Sequence, residues 1–212
     1  SNWPFYIDED DDGNYPTLVA FQEKFGIDVN YMVDFDDNNT YYAKVRDQLA
    51  LGQDMGADLV CPTEWMVSRW VSLGYAQEFN EANMPNKANV VDRLANPDFD
   101  PGRKKSLPWQ AGFAGIAYNT DKTGEVKTVE DLWRADLNGR VVVLSEMRDT
   151  MGLLLMANGV DISKDFGADE FNEALDVLRA QVDAGQIRNV RGNSYTEDLV
   201  NEDALAAIAW SG

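Results

Sequence analysis

Apolar and polar positions follow two periods along the chain. Helical spacing is found in TLVAFQEKFG, NNTYYAKVRDQLALG, TEWMVSRWVSLG, RDTMGLLLMANG, DEFNEALDVLRAQVDAG and YTEDLVNED. Short apolar or alternating runs typical of strands are IDVNYMVDF, ADLVCP, RVVVL and ALAAIAW. Strands and helices therefore alternate on both sides of SLPWQAGFAGIAYN, an extended segment whose glycines indicate a hinge strand.

This order predicts two α/β lobes with mainly parallel sheets, residues 1–112 and 113–212. Pro16 and Gly26 predict the start and end of the first helix. Asn38 or Asn39 is the expected N-cap of the second helix. Thr128 and Asp131 have the spacing of a capping box.

Charge and composition narrow the function. The chain has 18 lysines and arginines against 37 aspartates and glutamates, a net charge of −19, which disfavours nucleic acids and anionic membranes as partners and favours cations. A solvated acidic surface explains the same charge without any ligand. There is no histidine and one cysteine, Cys61, which we expect to be a small core residue in the strand DLVCP. Histidine-based triads, intramolecular disulfides and thiolate zinc sites are excluded, and no cofactor or metal is predicted.

Candidate ligand-binding residues follow the ends of predicted strands, where ligands gather in parallel α/β sheets. These positions are Trp3 to Tyr6, Thr63 to Trp65, Glu146 to Asp149, and Trp210, which together offer indole rings, a phenol and carboxylates. Charge-assisted hydrogen bonds contribute about 1.5–3 kcal/mol each and cation–π contacts about 0.5–2 kcal/mol. The inventory therefore suits an organic cation.

Simpler explanations compete with this one. The tryptophans also fit core positions, and Glu146 and Asp149 also fit a first helical turn, where acids complement the helix dipole. The same two acids are formally the pair of a glycoside hydrolase, although their spacing on one loop places them poorly for it. A module that binds no small ligand is a further alternative. The loop DEDDDG begins like a calcium loop, but Val19 stands where a bidentate glutamate is required, so no calcium site is expected.

Several segments, taken together, carry a family resemblance. They are NWPFYID, NNTYYAKV, DLVCPTEWMV, SLPWQAGFAGIAYN, SEMRD and AIAWSG. The chain resembles the spermidine/putrescine-binding proteins, the polyamine receptors of ABC importers. The resemblance implies a two-lobed, type II periplasmic-binding-protein-like α/β fold that closes around a polyamine, with no enzymatic activity. The ligand-binding residues that it implies are Trp3, Tyr6, Thr63, Trp65, Glu146, Asp149 and Trp210.

The resemblance also implies a monomer outside the cytoplasm, associated with the membrane through its ABC-transporter permease or a lipid anchor. Departures from the family pattern occur at Pro4, Thr63, Trp65 and Glu146. Glu146 is one methylene longer than the family's aspartate, so the choice between putrescine and spermidine stays open. A receptor for another small organic cation or a metal complex is the alternative. Family members continue past the equivalent of Trp210, so we expect the C-terminal part of the fold to be missing.

Overall fold

The chain forms two compact units in a computed structural model that describes residues 1–211: Ser1–Ala111, and the residues from Gly112 onward. The first unit contains α1 (Pro16–Phe25), α2 (Asn38–Leu51), α3 (Glu64–Ser72) and α4 (Asp92–Ala95), with 3₁₀ turns at Glu81–Asn83 and Pro85–Asn89. The second contains β1 (Ala114–Tyr118), α5 (Thr120–Thr123), 3₁₀ turns at Glu130–Trp133 and Ala135–Leu137, β2 (Val141–Leu144), α6 (Met147–Ala157), α7 (Ala168–Asp183), β3 (Ile187–Arg191), α8 (Tyr195–Val200) and β4 (Ala206–Trp210).

The core of the first unit is a series of aromatic rings. The ring centroids of Trp3 and Phe35 lie 5.1 Å apart, those of Phe35 and Tyr41 3.9 Å, and those of Tyr41 and Trp70 6.5 Å. All four side chains are buried. Ring contacts at these distances add to the stabilisation that comes from burying the apolar area of the rings.

The two strands predicted in the first unit are absent from the described residues, so these predictions were wrong. Residues 27–35 make only one isolated parallel bridge, Asn2 to Val33. In residues 57–62, Cys61 donates its N–H to the Ser1 carbonyl at 3.1 Å, and Leu59 is largely exposed. A strand is defined by its pairing with a neighbour, and among the described residues neither segment makes a continuous run of such pairs.

The helix ends of the first unit follow local signals, with one correction. Pro16 opens α1, and Gly26 ends it with a left-handed backbone (φ 64°), as predicted. The N-cap of α2 is Asp37, not Asn38 or Asn39: its carboxylate accepts the N–H of Thr40 at 2.9 Å. The Asn38 amide is instead used in a long-range contact with Thr63.

A buried arginine orders the polar connection that follows α4. Arg103 is 3% exposed and donates from Nε to the Leu94 carbonyl (2.7 Å), from Nη1 to the Ser106 hydroxyl (3.0 Å) and from Nη2 to the Glu64 carboxylate (2.9 Å). Burial alone would raise the pKa of the neighbouring Asp100 carboxyl, but hydrogen bonds from Ser106 and nearby backbone N–H groups lower it. The connection is therefore fixed to the first turn of α3.

The second unit is built on a four-stranded sheet in the order β1-β4-β2-β3. The pairs β4/β2 and β2/β3 are parallel and β1/β4 is antiparallel, so the sheet is mixed and, as predicted, mainly parallel. Strand β3 was not predicted, because the charged residues of this edge strand interrupt the apolar pattern.

Buried apolar residues of β2 and β4 form the centre of this unit. All four residues of β2 are buried, as are the first four of β4. Helices α6 and α7 enclose a second cluster around Leu154 and Ala174. The Asp131 carboxylate accepts the N–H groups of Lys127 and Thr128, which is the acidic half of the predicted capping box.

Candidate functional site

One edge of the second unit's sheet collects the ends of its three parallel strands. The chain after β2 carries Glu146 and Asp149, the chain after β3 carries Tyr195, and β4 ends at Trp210. Because β2, β3 and β4 run in the same direction, their carboxyl ends lie at the same edge. The fold therefore brings together residues that are distant in sequence.

The principal contact at this edge joins Trp210 and Asp149. The Trp210 indole N–H donates to the Asp149 carboxylate at 2.5 Å, and both side chains are half-buried. Burial raises the pKa of Asp149, while the hydrogen bond from Trp210 lowers it in part. The carboxylate thus lacks much of its hydration but retains access to solvent, a setting in which a cationic partner stabilises the ionised form.

Glu146 is placed differently from Asp149. It is 3% exposed, and it is the N-cap of α6, where its Oε1 accepts the Arg148 N–H at 3.4 Å. The Arg148 guanidinium approaches the same oxygen at 4.0 Å. The Thr150 hydroxyl donates to the Leu144 carbonyl at 2.7 Å and ties this turn to the end of β2. The two predicted acids share one helical turn, and Asp149 is the more accessible.

Sequence reasoning missed Tyr195, which contacts the backbone of Trp210. Its hydroxyl accepts the Trp210 N–H at 3.2 Å and lies 3.3 Å from the Trp210 carbonyl, to which it donates. The signal was its position just after β3, a strand that was not predicted.

The predicted residues of the first unit form a second set. Trp3 is 3% exposed, donates its indole N–H to the Cys61 carbonyl at 2.7 Å and stacks on Tyr6 with centroids 6.2 Å apart. Burial raises the pKa of Tyr6, and a hydrogen bond with Gln110 opposes this. A cavity of about 250 Å³ adjoins this pair; it is lined by Trp3, Pro4, Phe5, Ile7, Glu9, Tyr15, Tyr31 and Val33.

Thr63 and Trp65 lie at the start of α3. Thr63 is exposed and Trp65 half-buried. The buried Asn38 side chain, also missed by sequence reasoning, fixes Thr63 from both sides: its amide donates to the Thr63 hydroxyl (2.8 Å), and its oxygen accepts the Thr63 N–H (2.9 Å). The first turn of α3 is therefore held by Asn38 and, through Glu64, by Arg103.

Cys61 precedes this turn and is half-buried rather than in the core. Burial raises the pKa of its thiol from 9.0 to about 11. Within residues 1–211, no cluster of three or more histidine, cysteine or acidic side chains is arranged to hold a metal ion. None of the helices described in this chain has the length and apolar character to cross a bilayer.

In open α/β sheets, ligands bind at the carboxyl ends of the strands, where this unit places Asp149 and Trp210. A family model for bacterial extracellular solute-binding proteins matches residues 17–212. The chain therefore belongs to the family of bacterial extracellular solute-binding proteins. Membership confirms the prediction of a solute-binding protein.

Curated relatives are polyamine-binding proteins. The chain is 30% identical to spermidine/putrescine-binding periplasmic protein 1 of Haemophilus influenzae, over 68% of this chain and 39% of that protein. It is 28% identical to the putrescine-binding periplasmic protein PotF of Escherichia coli, over 100% of this chain and 57% of that protein. The chain thus spans less than two thirds of the length of these relatives.

Solved structures confirm the predicted periplasmic-binding-protein-like fold. A putative spermidine/putrescine ABC transporter protein from Listeria monocytogenes matches with a TM-score of 0.79 and 22% identity, over 100% of this chain and 61% of that one. The Tp0655 (TpPotD) lipoprotein of Treponema pallidum matches with a TM-score of 0.75 and 24% identity, over 97% and 61%.

Proposed function

We propose that the protein captures polyamines, putrescine or spermidine, outside the cytoplasm and delivers them to the permease of an ABC transporter. The observation that carries the proposal is the Trp210–Asp149 pair, a half-buried carboxylate hydrogen-bonded to an indole at the carboxyl edge of a solute-binding sheet. The names of the curated relatives support the choice of ligand.

The pair suits an alkyl ammonium for an electrostatic reason. Burial has removed water from Asp149, so an ammonium group that binds there replaces lost hydration with a charge-assisted hydrogen bond. The indole of Trp210 offers an aromatic surface beside it, and the net charge of −19 favours the approach of a cation. Binding should therefore favour the ionised carboxylate and lower the pKa of Asp149.

The other predicted residues have proposed roles on the same grounds. In the first unit, Tyr6, Thr63 and Trp65 would supply aromatic and hydroxyl contacts, and Trp3, which is 3% exposed, would act through its stacking on Tyr6. Glu146 would act mainly at a distance, since its buried carboxylate already caps α6. That placement also weighs against the hydrolase alternative, which needs two accessible acids on opposite sides of a sugar bond.

Calorimetry tests the proposal directly. The protein is titrated at low ionic strength with putrescine, spermidine and the neutral isostere 1,4-butanediol. We expect heat from the amines only, and an affinity at least about tenfold weaker in Asp149→Asn, because a hydrogen bond to a charged group contributes about 1.5–3 kcal/mol. Asp176→Asn, which removes a carboxylate that is 73% exposed on α7, is the matched control and should bind normally.

Two results would contradict the proposal: no binding of any polyamine, or unchanged affinity in Asp149→Asn. A thermal-shift panel of other organic cations and metal complexes addresses the alternative ligand class. A larger shift with one of those compounds would replace polyamines as the ligand.

The proposed location follows from the family and the permease that such receptors serve. Association with the membrane, through the permease or a lipid anchor, and a monomeric state belong to the same proposal. Cell fractionation and size-exclusion chromatography with light scattering test these two points.

A further inference from the structure

Within residues 1–211, the last residues of β4 pair with a strand on one side only. Trp210 pairs with Ala114 of β1, but β2 pairs with β4 only at Ala206 and Ala207. The N–H of Ser211 points to β1, where it donates to the Phe113 carbonyl at 2.8 Å. Since successive residues of a strand direct their backbone groups to opposite sides, the N–H and carbonyl of Trp210 face away from β1.

Tyr195 lies on the side of Trp210 that faces away from β1, where its hydroxyl reaches the Trp210 backbone. Its hydroxyl accepts the Trp210 N–H at 3.2 Å and donates to the Trp210 carbonyl at 3.3 Å. The two rings meet edge to face, with centroids 6.1 Å apart. Tyr195 is 7% exposed, and its single hydroxyl thus satisfies both backbone groups that a further strand residue would otherwise pair with.

We propose that Tyr195 is a positioning residue for the amine site: by holding the backbone of Trp210 at two points, it keeps the indole N–H directed at the Asp149 carboxylate. The inference rests on the proposed function, in which Asp149 receives the ammonium group. Tyr195 itself need not touch the ligand.

The hydroxyl is chemically suited to this double role. Burial raises the pKa of Tyr195, so the group stays protonated at neutral pH and both donates and accepts. Replacement by phenylalanine keeps the ring contact with Trp210 and removes only the two hydrogen bonds. Glu146 and Arg148, the charged neighbours of Asp149 on the same helical turn, are unchanged by this substitution.

The test compares Tyr195→Phe with Tyr118→Phe, a tyrosine of β1 that packs against the same core cluster. Two quantities are measured: putrescine affinity by calorimetry, and the titration of the Asp149 carboxyl carbon by ¹³C NMR in the absence of ligand. In Tyr195→Phe we expect about tenfold weaker binding. We also expect a pKa of Asp149 above its wild-type value, because the indole N–H no longer stabilises the ionised form as well. Tyr118→Phe should match the wild type in both.

Each outcome decides a separate point. If wild-type protein binds putrescine and Tyr195→Phe is unchanged in both affinity and Asp149 titration, the positioning role is overturned and the proposed function stands. If wild-type protein binds no polyamine, the proposed function fails, while the Asp149 titration still supports or overturns the role of Tyr195. Should Tyr195→Phe not fold, hydrogen exchange in the wild type decides: slow exchange of the Trp210 N–H supports the contact, and exchange as fast as in an open loop overturns it.

Discussion

Replacement of the Arg103 guanidinium by an apolar group gives a quantitative test of what stabilises the first unit. In Arg103→Met the hydrogen bonds to the Leu94 carbonyl and the Ser106 hydroxyl are lost, and so is the ion pair with Glu64. A methionine of comparable length keeps much of the packing. The substitution therefore isolates the guanidinium.

The expected cost follows from the surroundings of each bond. Two hydrogen bonds from a charged donor contribute about 1.5–3 kcal/mol each, or about 3–6 kcal/mol together. The Glu64 side chain is 54% exposed, so its ion pair adds less than about 1 kcal/mol. Burying the methionine returns about 1–2 kcal/mol. We expect a net loss of about 1–6 kcal/mol in the free energy of unfolding, which at its midpoint is a large part of the total stability of an ordinary domain.

Urea unfolding followed by circular dichroism measures this loss. The matched control is Arg46→Met on α2, where the side chain is 61% exposed and its partner Asp47 83% exposed; it should cost less than about 1 kcal/mol. Arg103→Lys should remain well below the wild type, because an ammonium group lacks the planar fork that reaches three acceptors. If Arg103→Met is as stable as Arg46→Met, the assigned role of the buried guanidinium is wrong.

Two further substitutions test the second unit. Asp149→Asn should stabilise the ligand-free protein at pH 7. Because the pKa of Asp149 is raised in the folded state, this group stabilises the fold below its unfolded pKa of about 3.8. That contribution is lost as the pH rises through the folded pKa, so at pH 7 the ionised carboxylate destabilises the fold and its removal is favourable. The gain should shrink in urea unfolding at lower pH, and a variant less stable than the wild type at pH 7 would contradict the argument. Gly112→Ala should cost about 1–3 kcal/mol in thermal unfolding, since its Cβ would lie 2.9 Å from the Ser211 hydroxyl oxygen and 3.1 Å from its carbonyl oxygen. Adding Ser211→Ala should recover only part of that loss, because the contact with the Ser211 backbone carbonyl remains. Full recovery would show that this second contact costs no stability.

Local signals predicted helices well and strands unevenly. The proline and glycine that bound α1 act within a few residues of the chain, so they can be read directly. RVVVL was identifiable because the whole of β2 is buried. IDVNYMVDF was predicted as a strand but does not form one. Alternation of apolar and polar residues shows only that a segment is able to pair, and the one bridge partner of this segment is Asn2. The edge strand β3 shows the opposite error: it forms but was not predicted, since Ile187 and Val190 stand among charged and polar residues.

The same division applies to the candidate site. Asp149 and Trp210 were found because strand ends in parallel sheets share one edge, and the structure places the two in direct contact. The residues that support the site were not found. Tyr195 acts across 15 residues of sequence and Asn38 across 25. Such hydrogen bonds leave no periodic trace in the sequence.

The thiol of Cys61 has a practical consequence. A pKa of about 11 in place of 9.0 reduces its reactive thiolate at neutral pH about a hundredfold. Because Cys61 is the single cysteine of the chain, an environment-sensitive dye aimed at a second, solvent-facing cysteine would label that site with little background. Such a dye could be placed near the first turn of α3 without the need to replace the native residue.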